Sequence, residues 1–299
     1  MIQIKHIFTG AVLFECEATV ECEDRPDEWR VGFAVRLAVK AGAKITRANL
    51  TGADLTGANL TGADLTGANL AGVYLTRANL AGVYLARANL AGVYLTRANL
   101  AGAKITGAYL AGAYLAGADL TGADLAGADL TGANLAGAKI TGAYLAGANL
   151  AGADLTGAEI AGAYLARADL AGANLTGADL AGADLTGANL AGAKITGANL
   201  AGANLAGANL AGANLAGAYL AGADLAGANL VDGGQRSDGY RFVGWIKEGA
   251  LQIRAGCRDM TVPEYREHNK RRDGTPLGAE TTAILDHVEA VAKIRGMVP

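Results

Sequence analysis

From Ala43 to Val231 one bulky aliphatic residue returns every fifth position, without a single insertion. The bulky positions run Ile45, Leu50, Leu55 and onward to Leu230, 38 in all, and each is Leu or Ile. Two positions before each stands Ala, replaced only by Val73, Val83 and Val93. The residue immediately before is usually Asn or Asp, and the residue two after is Gly except at Arg47, Arg77, Arg87, Arg97, Arg167 and Asp232. A helix turns about 100° per residue, so leucines five apart would be offset by roughly 140° and define no apolar face. A flat strand alternates sides with period two, and an odd spacing would throw successive leucines onto opposite faces. The chain must therefore turn within every pentad, and glycine supplies the backbone freedom for that turn. If each pentad forms one side of a square coil, four pentads close a turn and every Leu or Ile points inward with the small Ala beside it.

The segments on either side carry different periods. Residues 2–17 predict a short hairpin around Thr9 and Gly10, followed by an acidic loop. Asp27 to Ala41 predicts a helix with Trp29, Phe33, Leu37 and Ala41 on one stripe, ended by Gly42. After the last pentad, Asp232-Gly233-Gly234 breaks the pattern, and Tyr240 to Ala255 predicts a hairpin turning at Lys247-Glu248-Gly249. Two helices follow. The first opens with the capping-box spacing Thr261-x-x-Glu264; the second, about Ala279 to Arg295, carries Ile284, Val288, Val291 and Ile294. An uncovered end of a stacked coil would template end-to-end association, so both flanks are expected to be covers. Three units result: 1–42, an N-terminal hairpin and capping helix; 43–230, the repeat; and 231–299, a C-terminal hairpin and helices forming a cap or a dimerisation region.

The pentads Ala53 to Gly57 (Ala-Asp-Leu-Thr-Gly) and Ala68 to Gly72 (Ala-Asn-Leu-Ala-Gly) resemble the A-(D/N)-L-x-x signature of the pentapeptide-repeat family. The resemblance runs in register over 43–230. It implies an all-β solenoid: a right-handed quadrilateral β-helix of 38 repeats, with small α/β caps at both ends. Squareness and handedness come from the family, not from the periodicity. Coils stacked about 4.8 Å apart would give a rod of roughly 45 Å with a filled core rather than a channel. Each buried Leu or Ile contributes on the order of 1.5–3 kcal/mol, which offsets the entropy of ordering so glycine-rich a chain. In related proteins a C-terminal helix often dimerises, which makes 231–299 a candidate homodimer contact.

Composition narrows the functional classes. The 44 glycines do not fall every third residue, which excludes collagen, and leucine is too regular for a disordered tail. A net charge of −3 provides no basic field for nucleic acid or anionic lipid, so any partner is expected to be protein. No leader-like segment and no run of about 18 apolar residues occurs, and Cys16, Cys22 and Cys257 form an odd set without C-x-x-C spacing. A cytoplasmic, reducing setting is the expectation, with no cofactor, no metal site and no membrane contact. Cys257 with His268 and Glu264 or Asp286 could be drawn as a nucleophile and its base, but no catalytic motif surrounds the cysteine. Catalysis is not expected.

The residues that break the monotony are the candidate site. Ala71 to Leu100 reads AGVYLTRANL, AGVYLARANL, AGVYLTRANL. With 20 residues per coil, Tyr74, Tyr94 and Tyr114 would stack on one face with Arg77 beneath Arg97 beside them, while Tyr84 and Arg87 take the opposite face. Tyrosine and arginine are enriched in binding surfaces, so Tyr74, Arg77, Tyr94, Arg97 and Tyr114 form a candidate protein-docking stripe. Asn59, Asn79 and Asn99 would form a second ladder, and Lys139 would fall next to Glu159. Some members of the family imitate B-DNA, bind DNA gyrase and protect it from quinolones, which makes a gyrase-binding DNA mimic the alternative. Over 43–230, however, eleven carboxylates face nine Lys and Arg, a net of −2, whereas a DNA-like rod of this length would need roughly 25 negative charges. Thr56, Thr76 and Thr96 align, as do Thr156, Thr176 and Thr196, but Ala116 and Ala136 interrupt the file, which disfavours an ice-binding face.

Overall fold

A computed structural model of the 299-residue chain describes residues 1–17, 22, 24–215, 217–228, 230–237, 241–247, 250–255 and 258–294. Through the repeat, residue i bridges residue i+20 in parallel, from Asn49–Asn69 to Asn204–Asp224, so four pentads make each coil. The result is a β-helix solenoid. Its sides are files of single bridged residues rather than extended strands, because each pentad spends its other residues in the turn and in the inward-facing Leu and Ala. Leu50, Leu55, Leu60 and their successors to Leu225 are buried, together with the alanines or valines two positions before them, except Ala63 and Ala223, which are partly buried. All belong to one continuous apolar column.

Every backbone donor of a pentad such as Ala68 to Gly72 has a destination, which is what burial of so much polar chain requires. Ala68 donates to Leu65 O at 2.9 Å, closing the turn; Asn69 donates backward to Ala48 O and Leu70 forward to Asn89 O. Gly72 donates to Ala91 O at 3.0 Å. The remaining amide, Ala71, donates to the side-chain Oδ1 of Asn69 at 3.3 Å. Asn and Asp recur before Leu for this reason: their side chains close an Asx turn that no backbone carbonyl closes. Asn59, Asn79 and Asn99 stack in one file as expected, and Asn99 Nδ2 donates to Asn79 Oδ1 at 3.3 Å.

At the start, β1 (Ile2–Lys5) and β2 (Val12–Cys16) form the expected antiparallel hairpin, with Gly10 at φ +67° in its turn. The chain then passes onto the first coil: Ile7 donates to Arg47 O and Asn49 to Lys5 O, both at 2.8 Å. Helix α1 (Asp27–Lys40) lies across the same edge. Glu28 O accepts from Asp54 N at 2.9 Å, and Arg36 Nη2 reaches the carbonyls of Asp54 and Thr56. Its packing face is not the predicted stripe. Gly32, Ala34, Val35 and Ala38 are buried, Trp29 and Phe33 only partly so, and Ala41 is exposed. The helix approaches the coil so closely that small residues are selected beneath it, and the aromatics pack at the side, stacked at 5.5 Å.

After the last coil, β3 (Leu230–Gln235), β4 (Arg241–Lys247), β5 (Ala250–Ala255) and β6 (Arg258–Thr261) form an antiparallel sheet in chain order. The segment that breaks the repeat is thus itself a strand, with a register shift between Asp232 and Gly234. The hairpin of β4 and β5 is as expected, although Tyr240, Glu248 and Gly249 lie outside the described residues. Strand β6 was not foreseen. Helix α2 (Val262–Asn269) carries the predicted capping box, and after one 3-10 turn α3 (Pro276–Ile294) begins three residues earlier than the pattern suggested; Arg295 lies outside the described residues. Phe242, Ile253, Leu285 and Val288 close a second small core. Among the described residues no helix is long and apolar enough to cross a membrane.

Candidate functional site

The 20-residue coil brings the five candidate residues together as expected. Tyr74 bridges Tyr94, and Tyr94 bridges Tyr114, in one file. Their rings stack with centroids 4.9 and 4.8 Å apart and planes within 10° and 2° of parallel. All three stay open to solvent, at 45, 36 and 45 % exposure. A tyrosine at this position gives up the Asx turn that Asn or Asp would close. Arg77 and Arg97 follow at the next corner, one coil apart and both exposed.

The arginines occupy the turn position that glycine holds elsewhere, and they adopt glycine's conformation. Arg47, Arg77, Arg87, Arg97 and Arg167 have φ between 54° and 60°, against +64° at a typical corner such as Gly57. They are the non-glycine residues with positive φ among those described. The left-handed region costs an ordinary L-residue about 1–2 kcal/mol. Their stems run along the rod onto the following corner: a Cβ built on Gly117 would lie 3.5 Å from Arg97 Cγ, and one on Gly187 would lie 3.7 Å from Arg167 Cγ. The five arginines are thus exposed cations held in a backbone conformation that glycine adopts without cost.

Other groups are committed locally. The Nδ1 of His6 accepts from the amides of Phe8 and Thr9 at 3.2 and 3.3 Å. Cys257 lies outside the described residues. Glu264, one of the two carboxylates considered with Cys257 and His268, accepts from both N and Oγ1 of Thr261 at 2.8 Å, and those hydrogen bonds hold its carboxyl below the usual range. Burial pushes the Cys16 thiol up, and nearby Cys22 adds to the effect. Asp119 is drawn up by burial, but the Thr121 hydroxyl and amide, with Lys139, bring it below the ordinary carboxylate value. No group of His, Cys, Asp and Glu suited to a metal occurs among the described residues.

Two features were not read from the sequence. The tyrosine file ends in a cleft of about 560 Å³ between the coil and the start of α1, lined among others by Arg25, Glu28, Trp29, Asp54 and Tyr74. Arg25 sits over the Trp29 ring at 5.3 Å, a cation–π contact. Trp29 directly follows Asp27 and Glu28 at the start of α1, and nothing in a helical period would have placed it beside Tyr74. The second is another stacked pair, Tyr144 and Tyr164, at 4.8 Å on the file that also holds Tyr84. That pair could have been found by the same count of 20.

The family model described as pentapeptide repeats matches in overlapping stretches from residue 43 to residue 232. No curated protein matches the chain. Among solved structures, HetL from the cyanobacterium Nostoc, a pentapeptide-repeat protein involved in regulating heterocyst differentiation, is 36 % identical. The match covers 66 % of this chain and 93 % of HetL, with a TM-score of 0.29. QnrB1, a plasmid-mediated fluoroquinolone resistance protein, is 20 % identical over 55 % of this chain and 90 % of its own, with a TM-score of 0.41. A pentapeptide-repeat protein of the Arabidopsis thaliana thylakoid lumen is 39 % identical over 29 % of this chain and 64 % of its own, with a TM-score of 0.26.

Proposed function

The chain belongs to the pentapeptide-repeat family and is a right-handed β-helix solenoid, and from that premise we propose that it is a non-enzymatic interaction scaffold whose protein-docking surface is Tyr74, Tyr94 and Tyr114 with Arg77 and Arg97. The scaffold is the 38-repeat array of 43–230. Residues 1–42 close one end and 231–299 the other, in a reducing, cytoplasmic setting. Hydrogen bonds from the first coil to Lys5 and Glu28 support the first closure, and burial of Val243 with the coil's apolar column supports the second. Leu285 and Val288 of α3 are buried against their own sheet, which favours a cap over a dimer contact through that helix.

The carrying observation is the combination of three exposed stacked rings with two arginines held at positive φ beside them. Both substitutions work against the repeat, the tyrosines by losing an Asx turn and the arginines by backbone strain, so packing alone does not select them. Flat rings flanked by cations suit a partner surface rich in carboxylates and apolar edges. The gyrase-mimic alternative needs a far more acidic rod than a net of −2 supplies.

The test compares affinity capture from host lysate by the wild type, by a Tyr74→Asn, Tyr94→Asn, Tyr114→Asn triple variant, and by an Arg77→Ala, Arg97→Ala pair. A partner held by the wild type and lost with both variants supports the stripe. Equal capture by all three removes it. A gyrase supercoiling assay addresses the alternative, which requires inhibition by the wild type.

A further inference from the structure

The charges on the rod are segregated. Residues 43–110 carry four Arg and two Lys against Asp54 and Asp64, a net of +4; residues 111–230 carry nine carboxylates against Lys139, Arg167 and Lys194, a net of −6. The segregation is most regular along one side, the file that runs from Asn59 through Asn79 and Asn99 to Asn199 and Tyr219, together with the corner just before it. Six consecutive coils each place one formal charge on that edge: Arg77, Arg97, Asp119, Lys139, Glu159 and Asp179. In order along the rod their signs are plus, plus, minus, plus, minus, minus.

Turned end for end, this series meets itself with every sign opposed. Arg77 then faces Asp179, Arg97 faces Glu159, and Asp119 faces Lys139, about a two-fold axis that crosses the rod between Asp119 and Lys139. An isologous contact demands this property, since each residue must suit the symmetry-related surface. Two copies of one solenoid also share the same coil spacing, so the opposed charges stay in step over the whole series. Sterically the edge is open. The corners at Gly157 and Gly177 have no neighbour within 4 Å of a built Cβ, which leaves room for incoming arginine stems next to Glu159 and Asp179. Arg77, Arg97, Lys139 and Glu159 are exposed, Asp119 and Asp179 half-buried, and no ion pair engages any of the six among the described residues.

We propose that this side is a contact surface for a second copy of the chain, packed antiparallel with the two-fold axis between Asp119 and Lys139. Six coils of overlap on a side about 10 Å wide would cover roughly 290 Å² per copy, well under the ~800 Å² per partner of a stable complex. The dimer is therefore weak and governed by charge. It shares Arg77 and Arg97 with the docking stripe but not the tyrosines, so the two readings fail separately.

Sedimentation of the full chain at about 100 µM, in about 20 mM and about 500 mM NaCl, tests the contact, because screening lengths of roughly 20 Å and 4 Å bracket the pairing distance. The expected result is a monomer–dimer equilibrium whose Kd weakens at least tenfold in the higher salt. An Arg77→Glu, Arg97→Glu pair and a Glu159→Lys, Asp179→Lys pair should each be monomeric, while the four substitutions combined restore the dimer. The Tyr74→Asn, Tyr94→Asn, Tyr114→Asn triple should dimerise like the wild type. Circular dichroism on each variant confirms that the coil is intact. A monomer under all conditions overturns the proposal. So does a dimer indifferent to salt and to charge reversal, which would place association elsewhere, and so does failure of the combined, folded variant to recover.

Discussion

A methyl group at position 32 would sit 1.9 Å from the carbonyl oxygen of Asp54. That contact sets how α1 lies on the first coil, because the oxygen is backbone and cannot swing aside. Gly32→Ala must therefore lift the helix or bend the coil edge, at about 1–3 kcal/mol. Native-state hydrogen exchange should show the loss confined to α1 and the first coil, with protection beyond Leu100 unchanged. Uniform loss along the rod would contradict a local docking contact.

Leu120 is 1 % exposed in the middle of the apolar column. Leu120→Ala should cost about 2–5 kcal/mol, and Leu120→Asp should cost more, since a carboxylate there has no partner. Each coil touches only its neighbours, so the damage should split the array into two partly independent blocks. A denaturant transition that turns biphasic is the expected signature, read by far-UV circular dichroism.

Arg87→Gly should stabilise. Release from the left-handed region returns about 1–2 kcal/mol, against about 0.4–1 kcal/mol lost to the freer unfolded chain. The net gain is between about 0 and 1.6 kcal/mol, measured as a shift of the unfolding midpoint. The same change at Arg77 or Arg97 should stabilise the fold while weakening partner capture, and that opposition separates a used surface from a structural one. Arg87→Ala keeps the strain and should give no such gain.

Glu264 contributes a pH dependence of known sign. Its folded-state carboxyl lies below the ordinary value because Thr261 donates to it from backbone and side chain. The stabilisation is therefore present above the unfolded pKa of about 4.3 and is lost as pH falls through the lower folded value. Amides at the start of α2 should exchange faster as pH drops through that window, after correction for intrinsic rates. Glu264→Gln should flatten the dependence. Thr261→Ala, which removes the N-cap acceptor and one of the two donors to Glu264, should loosen α2 by about 1 kcal/mol at neutral pH and weaken its pH dependence.

The repeat was legible because each of its positions is over-determined: Leu and Ala by burial, the corner glycine by its turn, and all by a spacing that neither helix nor strand tolerates. Tyr74, Tyr94 and Tyr114 could be placed on one side by counting alone. The face of α1 could not, because periodicity points to Trp29 and Phe33 as the bulkiest stripe, whereas the helix buries Ala34, Val35 and Ala38 and brings Gly32 against the Asp54 carbonyl. Strand β6 is four residues long, too short for its alternation to mark it as a strand. The strain at the arginines was hidden for a different reason. A residue standing in for glycine reads as a turn abandoned, and only the backbone angle shows that the turn was kept.

The 20-residue step between bridged residues makes the coil a rotary counter. Inserting or deleting one pentad leaves the core chemistry unchanged but swings everything downstream by a quarter turn, so that Tyr114 would leave its stack and the charges beyond it would move to another side. A ten-residue duplication such as that within 71–100 deals its copies alternately to opposite sides, and only a whole-coil step extends a surface in place. Length and surface identity are thus inherited together: the gene can lengthen the rod in small increments, yet preserves what the rod displays only in multiples of four repeats.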